Sequence, residues 1–487
     1  MTELDVETAR WLTSAAGRSA VTSATRQLDD GADELAVAGG LRTVSAHAER
    51  RAAVLEAAAT RRRARQRWPG ADDLLFTREA LEQASDPRLA AHRAGRLLAG
   101  LGDRPGTAGT VVDLCAGIGG DAIALARAAT GQGVRVLAVD TDAARLTLLA
   151  HNAEVAGVEV STREADALTV ELPAGSVLHA DPSRRRGGRR VRRLSEHVPS
   201  VPALLAAHPD AVAWALALAP GVDVDDPELP GDIEVEYVQL GRALVEATVW
   251  IASTTAGGAG TGGSSVTTTR NAGRATNPAT APNAGRAANP ATAPNAGRAA
   301  NPATARNAGR TGTAGLLTDR IPDSQRRARA TLLTDDEVAG TRVGVPASRV
   351  RLPVGGIGHF LIEVAPAAVR ARLHDELGRE LGARRLSAHR ALLTCDTEPP
   401  AAPWYRARAV LAELPSRPRA VRRWLQDHEA ATGTAPAVEL VLHGVRADPE
   451  QLWRELGRPR RGPQGLRLEF IRRDHDSITV VTGPSPS

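Results

Sequence analysis

The run TVVDLCAGIGGDAIALARAAT, residues 110–130, constrains this chain more than any other stretch. It reads as an apolar strand, a loop holding Gly117, Gly119 and Gly120, and an Ala-rich helix that starts at once. Glycines in such a loop let the backbone approach a ligand and let the helix begin without a spacer. The next strand, VRVLAVD, ends in Asp140 about twenty residues on, where a carboxylate can accept hydrogen bonds from both hydroxyls of a ribose. A third, VEVSTREADAL, carries Asp166 and Ala167, suited to an adenine edge, and a fourth, SVLHADP, ends in Asp181 and Pro182. Ligands of open α/β sheets bind at this carboxyl edge, so the successive strand ends predict a nucleoside-containing cofactor.

Gly117-x-Gly119-x-x-Ala122 also fits a loose dinucleotide fingerprint, which leaves NAD to be weighed. Asp113 stands four residues before Gly117, where its carboxylate meets the ammonium of a methionine moiety. A pyrophosphate has less use for a buried negative charge, so S-adenosylmethionine is favoured and an NAD-dependent oxidoreductase disfavoured.

A chain of 487 residues predicts two or three domains with linkers. No apolar run approaches the roughly 18 residues of a membrane span. The polar, acidic start MTELDVETARWL does not resemble a secretory signal. The two cysteines, Cys115 and Cys395, predict no disulfide framework and fit a reducing, cytoplasmic setting. The 61 basic side chains are all arginine and the formal charge is +5, a balance that permits nucleic-acid binding without demanding it. The densest cluster is HADPSRRRGGRRVRRL, residues 179–194, with seven arginines between Arg184 and Arg193.

From about Ser253 to Arg326 the composition shifts to Gly, Thr, Asn, Pro and Ala, and a 12-residue unit recurs, as in NAGRATNPATAP from Asn271. Such units have almost nothing to bury, so a low-complexity disordered insertion over 254–326 is expected. IEVEYVQL, ALVEATVWI and RARATLL around it read as successive antiparallel strands, with the insertion in the loop before the last. ERRAAVLEAAATRRRARQRW and DPRLAAHRAGRLLAGLG read as helices, the second opened by Asp86-Pro87. Beyond Leu352, PAAVRARLHDELGRELG and RAVRRWLQDHEAATG are predicted helices among the short strands AVELVLHG, LRLEFIRR and SITVVTG.

The chain resembles class I S-adenosylmethionine-dependent methyltransferases, specifically a bacterial group with a THUMP-like C-terminal domain. The resemblance rests on LLFTREALEQASDPRLAAHRA, VVDLCAGIGGDAIALA, AVDTDAARLTLLAHNAEVAGV, ADPSRRRGGRR, LALAPGVD and ELGARRLSAHRALLTCD, and it covers most of the chain outside the repeats. It implies an α/β fold, a Rossmann-like class I methyltransferase sheet of seven strands, with an N-terminal helical region and a small C-terminal α+β domain. The expected boundaries are 1–100 for the helical region, 101–345 for the methyltransferase domain, 346–398 for a small α+β connecting segment and 399–487 for the THUMP-like domain. THUMP modules imply RNA as partner, ribosomal and transfer RNA not being distinguished.

Carried over by residue, the resemblance puts Asp113, Cys115, Gly117, Gly119 and Gly120 around the methionine moiety, Asp140 on the ribose, and Asp166 with Ala167 at the adenine. Asp181 and Pro182 occupy the catalytic-loop position, with Arg184 and Arg185 beside the methyl group. Glu82 and Gln83 are candidates for the pocket, and Arg189 and Arg190 for substrate phosphates on a flexible basic lip hinged at Gly187 and Gly188. Asp-Pro-Ser-Arg departs from the Asn/Asp-Pro-Pro-aromatic loop that grips an exocyclic amine, so adenine N6 is not assigned as the target. The cysteines read as structural and His92, His151, His179 and His197 lack metal spacing, so neither a covalent enzyme intermediate nor a metal is expected. The expected chemistry is direct transfer to a nitrogen or oxygen that Asp181 orients or deprotonates. A non-catalytic cofactor-binding RNA-binding protein, and a methyltransferase of proteins or small molecules, stay open as alternatives.

Overall fold

The computed structural model describes residues 4–68, 70–99, 109–252, 326–334, 338–344, 351–462 and 465–483. All of them fall in one unit, Met1–Thr254 with Thr313–Ser487. Of the expected insertion over 254–326 only Arg326 is described; the rest lies outside the described residues.

Six helices come first: α1 Val6–Thr13, α2 Ala15–Asp29, α3 Glu34–Gly40, α4 Ala48–Ala64, α5 Arg78–Gln83 and α6 Pro87–Ala99. Their caps are written in the sequence, since Asp5, Ser14, Asp33 and Thr77 each accept a backbone N–H of the first turn. Then alternate β1 Thr110–Leu114, α7 Gly120–Ala129, β2 Arg135–Asp140, α8 Ala143–Val155, β3 Ser161–Glu164 and β4 Val177–Ala180. An arginine ribbon, β5 Arg185–Arg186 with β6 Arg189–Arg190, interrupts the alternation before α9 Val201–Ala207. The sheet is completed by β7 Ala213–Leu218, β8 Glu234–Leu240, β9 Ala243–Ala252, β10 Arg327–Leu333 and β11 Val338–Gly344.

These strands lie in the order β11-β10-β8-β9-β7-β4-β1-β2-β3. From β7 to β3 neighbours are parallel, and β9 is antiparallel to both β7 and β8. Among the described residues the sheet therefore has nine strands where seven were expected. The expected antiparallel succession also fails at its last member, because β10 pairs in parallel with β8, Arg327 opposite Glu234 through Leu333 opposite Leu240. Both edges of β9 are already occupied, so β10 takes the free edge of its hairpin partner β8, and the long connection permits the crossover a parallel pair needs.

The central strands are buried on both faces, and successive residues serve opposite layers. Val111 packs with Leu97, Leu125 and Leu149, whereas Val112 and Leu114 pack with Leu178, Leu204 and Leu216. The second layer also holds Ile362, Leu373 and Leu377, so the segment after β11 shares the core of the large sheet.

That segment comprises β12 Phe360–Val364, α10 Pro366–Arg370, α11 His374–Glu380, β13 Arg384–Arg385 and β14 Leu392–Cys395. The single helix expected over 366–382 is two, because Arg372 takes a left-handed φ of 58° and hydrogen-bonds Asp223 and Asp225. Last come β15 Tyr405–Pro415, α12 Pro418–Thr432, β16 Val438–His443, α13 Pro449–Glu455, β17 Leu466–Arg472 and β18 Ser477–Thr482. One end of β15 pairs with β12 and the other with β18, which joins these strands into one sheet. Val421, Leu425, Trp453, Leu468 and Phe470 form a separate core under α12 and α13.

Candidate active site

The carboxyl ends of β1, β2 and β4 open on a cavity of about 420 Å³, which the segment following β3 also lines. Its floor is the loop between β1 and α7. Gly119 has φ 93°, and a Cβ there would meet Leu149 Cγ at 2.7 Å, so both backbone and space require glycine. Asp140 holds the loop by accepting the Gly117 N–H at 2.8 Å, while its other oxygen accepts the Asp142 N–H at 3.0 Å. Asp142, not Asp140, caps α8, which leaves lone pairs of Asp140 facing the cavity.

One wall comes from the helical region. Asn152 of α8 bonds both the N–H and the carbonyl of Leu75, at 2.9 and 3.0 Å, and reaches the Ile118 carbonyl at 3.3 Å. This stitch holds the chain leading into α5 against the glycine loop. Ala80, Gln83, Ala84 and Ser85 then line the cavity, and Glu82 points to solvent outside it. The opposite wall is the segment after β3, where Asp166 accepts the Leu168 N–H at 2.8 Å and Ala167 is buried beside it.

Behind the glycine loop lies a buried polar network. His179 of β4 donates through Nδ1 to Asp113 Oδ1 of β1 at 2.7 Å, and its Nε2 stands 3.8 Å from Asp121 Oδ1 at the start of α7. Asp121 accepts from Ser85 Oγ at 2.9 Å and from Arg93 of α6 at 2.5 Å, and Arg93 also bonds Glu246 of β9. Burial pushes the Asp113 carboxyl up, against the pull of His179. Burial also opposes charge on Asp121, but Arg93 and His179 hold it below the usual carboxylate range. Asp113 Oδ2 and His179 Nε2 have no hydrogen-bond partner among the described residues.

Asp181, just past the end of β4, is exposed and lines the cavity next to the rim segment that holds Ser183. Crowding by protein and the nearby Asp121 carboxylate push its carboxyl up to about 7. Its accessible surface faces the cavity, so water there screens part of that rise until a ligand displaces it. The Cys115 thiol also lines the cavity, and burial together with Asp140 and Asp113 pushes its pKa far above the ordinary range. A thiol so placed is not a nucleophile at neutral pH. Cys395 is buried in β14 and bonds the Thr397 carbonyl at 3.0 Å, and it is absent from the lining.

Among the described residues the lining carries five aspartates, Asp113, Asp121, Asp140, Asp166 and Asp181, against one arginine, Arg145. Such a surface repels a pyrophosphate and suits a nucleoside bearing an ammonium and a sulfonium, so the residues present fit S-adenosylmethionine.

The arginine cluster stands at the rim. Ser183 and Val198 exchange N–H to carbonyl bonds of 2.9 Å across its base, and both line the cavity. Between them Arg185 pairs with Arg190 and Arg186 with Arg189. Gly187 and Gly188, at φ 57° and 78°, form the tight turn of this ribbon, so the flexible lip hinged at two glycines is a hydrogen-bonded hairpin instead. Pro182 is buried, whereas Arg184, Arg185, Arg189 and Arg190 are exposed and lie outside the cavity lining.

Of the expected site residues, the cavity thus gathers Asp113, Cys115, Gly117, Gly120, Asp140, Asp166, Ala167, Asp181 and Gln83, with Gly119 beneath. Sequence reasoning missed Asp121, Ser85, Arg93 and Arg145; it read His179 as a packed or hydrogen-bonded core residue with a minor proton-relay role left open, and the ring is buried and hydrogen-bonded to Asp113. A signal existed for Arg93, an arginine on the apolar face of α6 between Leu89 and Leu97.

Comparisons with known proteins find methyltransferases. A family model of RNA cap guanine-N2 methyltransferases matches residues 108–169, the stretch from β1 past β3. A Mycobacterium tuberculosis protein, described as an uncharacterized S-adenosylmethionine-dependent methyltransferase, is 27% identical over 417 residues, covering 85% of this chain and 88% of the relative. The crystal structure of a candidate methyltransferase from Porphyromonas gingivalis superposes with a TM-score of 0.61 at 16% identity, covering 95% of this chain and 98% of that one.

Proposed function

We propose that this chain, an S-adenosylmethionine-dependent methyltransferase with a Rossmann-like fold, methylates RNA by direct transfer to a nitrogen or oxygen. The observation that carries the RNA reading is the ribbon at the cavity rim. It sets Arg185 opposite Arg190 and Arg186 opposite Arg189, and none of these guanidinium groups forms an ion pair or hydrogen bond among the described residues. Like charges directly opposite each other destabilise a strand pair, so the ribbon lacks an anion to complete it. A polyanion threaded past the rim supplies one phosphate after another. The description of the matched family model, RNA cap guanine-N2 methyltransferase, supports the same class of substrate.

Bound S-adenosylmethionine supplies an electrophilic methyl group. In our reading Asp113 receives its ammonium, Asp140 the ribose hydroxyls, and Asp166 with Ala167 the adenine. Asp181 holds the acceptor N–H or O–H and takes its proton, a role suited to a carboxyl whose pKa lies near neutrality. Arg184 and Arg185, which follow it, hold the substrate strand at the rim, with Arg189 and Arg190 on the next phosphates. The protonated Cys115 thiol supports transfer without a covalent enzyme intermediate.

The α+β module after residue 398, read as THUMP-like, delivers the RNA. This reading places the enzyme in the cytoplasm, which the free cysteines suit. Mass spectrometry of nucleosides from total RNA, with and without the protein, tests it: one methylated nucleoside is expected to depend on the protein. Labelled methyl groups appearing only in protein or metabolite fractions would sink the RNA assignment.

A further inference from the structure

The candidate site leaves His179 of β4, a buried titratable group, without a task. Its ring sits between two carboxylates, 2.7 Å from Asp113 Oδ1 and 3.8 Å from Asp121 Oδ1. A neutral imidazole that donates to Asp113 through Nδ1 turns the lone pair of Nε2 toward Asp121, which is repulsive, whereas an imidazolium turns an N–H there. Asp113 uses one oxygen on His179, and its Oδ2 is buried without a partner beside the cavity. The ring thus orients the carboxylate with one oxygen behind the loop and the other available to a ligand.

We infer that His179 is a positioning residue for the cofactor: as an imidazolium it keeps Asp113 ionised and turned so that Oδ2 receives the ammonium of S-adenosylmethionine. This rests on the assignment of Asp113 to the methionine moiety. The charged groups facing the ring are Asp113 from β1, Asp121 from α7, Arg93 from α6 and Asp181 at the end of β4. Burial opposes the charge on His179, but Asp121 and Asp113 outweigh it and hold its pKa above the ordinary imidazole value. Without the imidazolium, burial and the Asp121 carboxylate both drive a proton onto Asp113, and a neutral acid is a poor partner for an ammonium.

The test is calorimetric binding by the full chain and by His179→Gln, from about pH 6 to about pH 9, a window spanning the imidazole range. Two ligands are compared, S-adenosylmethionine and 5′-methylthioadenosine, which keeps the nucleoside and lacks the amino-acid part. The wild-type affinity for S-adenosylmethionine is expected to stay level up to neutral pH. That of His179→Gln should fall about tenfold at the acid end and recover as pH rises and Asp113 ionises. Methylthioadenosine affinity should not change with the substitution. Equal losses for both ligands at every pH mean that His179 only packs the strand, and overturn the inference; so does no loss at all.

Asp113→Asn checks the underlying assignment separately. It should lose S-adenosylmethionine affinity at all pH values and keep methylthioadenosine, and an unchanged S-adenosylmethionine affinity rejects the assignment itself. If His179→Gln fails to fold, nitrogen-15 spectra of the histidines in the wild-type chain decide the matter. Both ring nitrogens of His179 should be protonated at neutral pH, and a neutral ring overturns the inference.

Discussion

The interior of the cavity and the ribbon at its rim are both densely charged, but the two regions treat charge in opposite ways. Inside, four of the five carboxylates are held before any ligand arrives: Asp140 by two backbone N–H groups, Asp166 by one, Asp113 by His179, and Asp121 by Ser85 and Arg93. At the rim, four guanidinium groups face one another across strands of two residues each, with no ion pair among the described residues. Buried charge is tolerated only when its geometry is settled in advance, whereas exposed charge can wait in water for a partner. On the proposed reading the interior receives one small cation of defined shape, and the rim an extended anion.

The largest effect expected in this comparison lies where the regions meet. Asp181→Ala should lower methyl transfer by about a hundred- to ten-thousand-fold, the usual weight of a general base, with S-adenosylmethionine affinity changed only a few-fold. In the wild type the transfer rate should climb as pH rises through about 7, because the ionised form of Asp181 takes the proton. A rate flat across that interval would remove Asp181 from the chemistry.

Gly119→Val attacks the interior through its backbone. A left-handed φ of 93° and the Leu149 side chain 2.7 Å from the new Cβ should cost on the order of 3 kcal/mol in urea unfolding. Cofactor binding should be lost with it, and a stable variant that still binds would show that the loop need not be built so tightly.

Replacing Arg185, Arg186, Arg189 and Arg190 together by serine addresses the rim alone. The slope of log affinity for single-stranded RNA against log salt should shrink by roughly 3, at about 0.7 per lost phosphate contact. Calorimetry should find S-adenosylmethionine affinity unaltered, and an unchanged salt slope would leave the ribbon without its assigned partner. The smallest effect concerns the segment that follows the ribbon, where Ser195 Oγ donates to Glu228 at 2.6 Å. Ser195→Ala should cost less than about 1 kcal/mol in thermal unfolding, as befits an exposed hydrogen bond, and a larger loss would mean that the ribbon is part of the folded core.

Several local features were legible in the residue order, and the reasons are local. Gly117 and Gly119 need positive φ, Asp86 and Pro87 open α6 as their types predict, and Gly433 ends α12 with φ 69°. Asp113, Asp140 and Asp181 could be placed because the end of a parallel strand always reaches the same edge of the sheet. The ribbon was misread as a flexible lip although its turn residues, Gly187 and Gly188, are those of a tight hairpin.

By itself, then, the sequence determined the β-loop-α unit, the acidic strand ends and the density of arginine beside the fourth of them. Only the tertiary structure decided which charges meet. His179 and Asp113 are 66 residues apart, Arg93 and Glu246 153, and Asn152 and Leu75 77. It also sent β10 to the free edge of β8, since both edges of β9 were taken. The physical reason is the range of the forces involved. Turn and helix signals act over a few residues and can be read in order, whereas a buried charge takes its partner from whichever strand or helix the packed core brings within hydrogen-bonding distance.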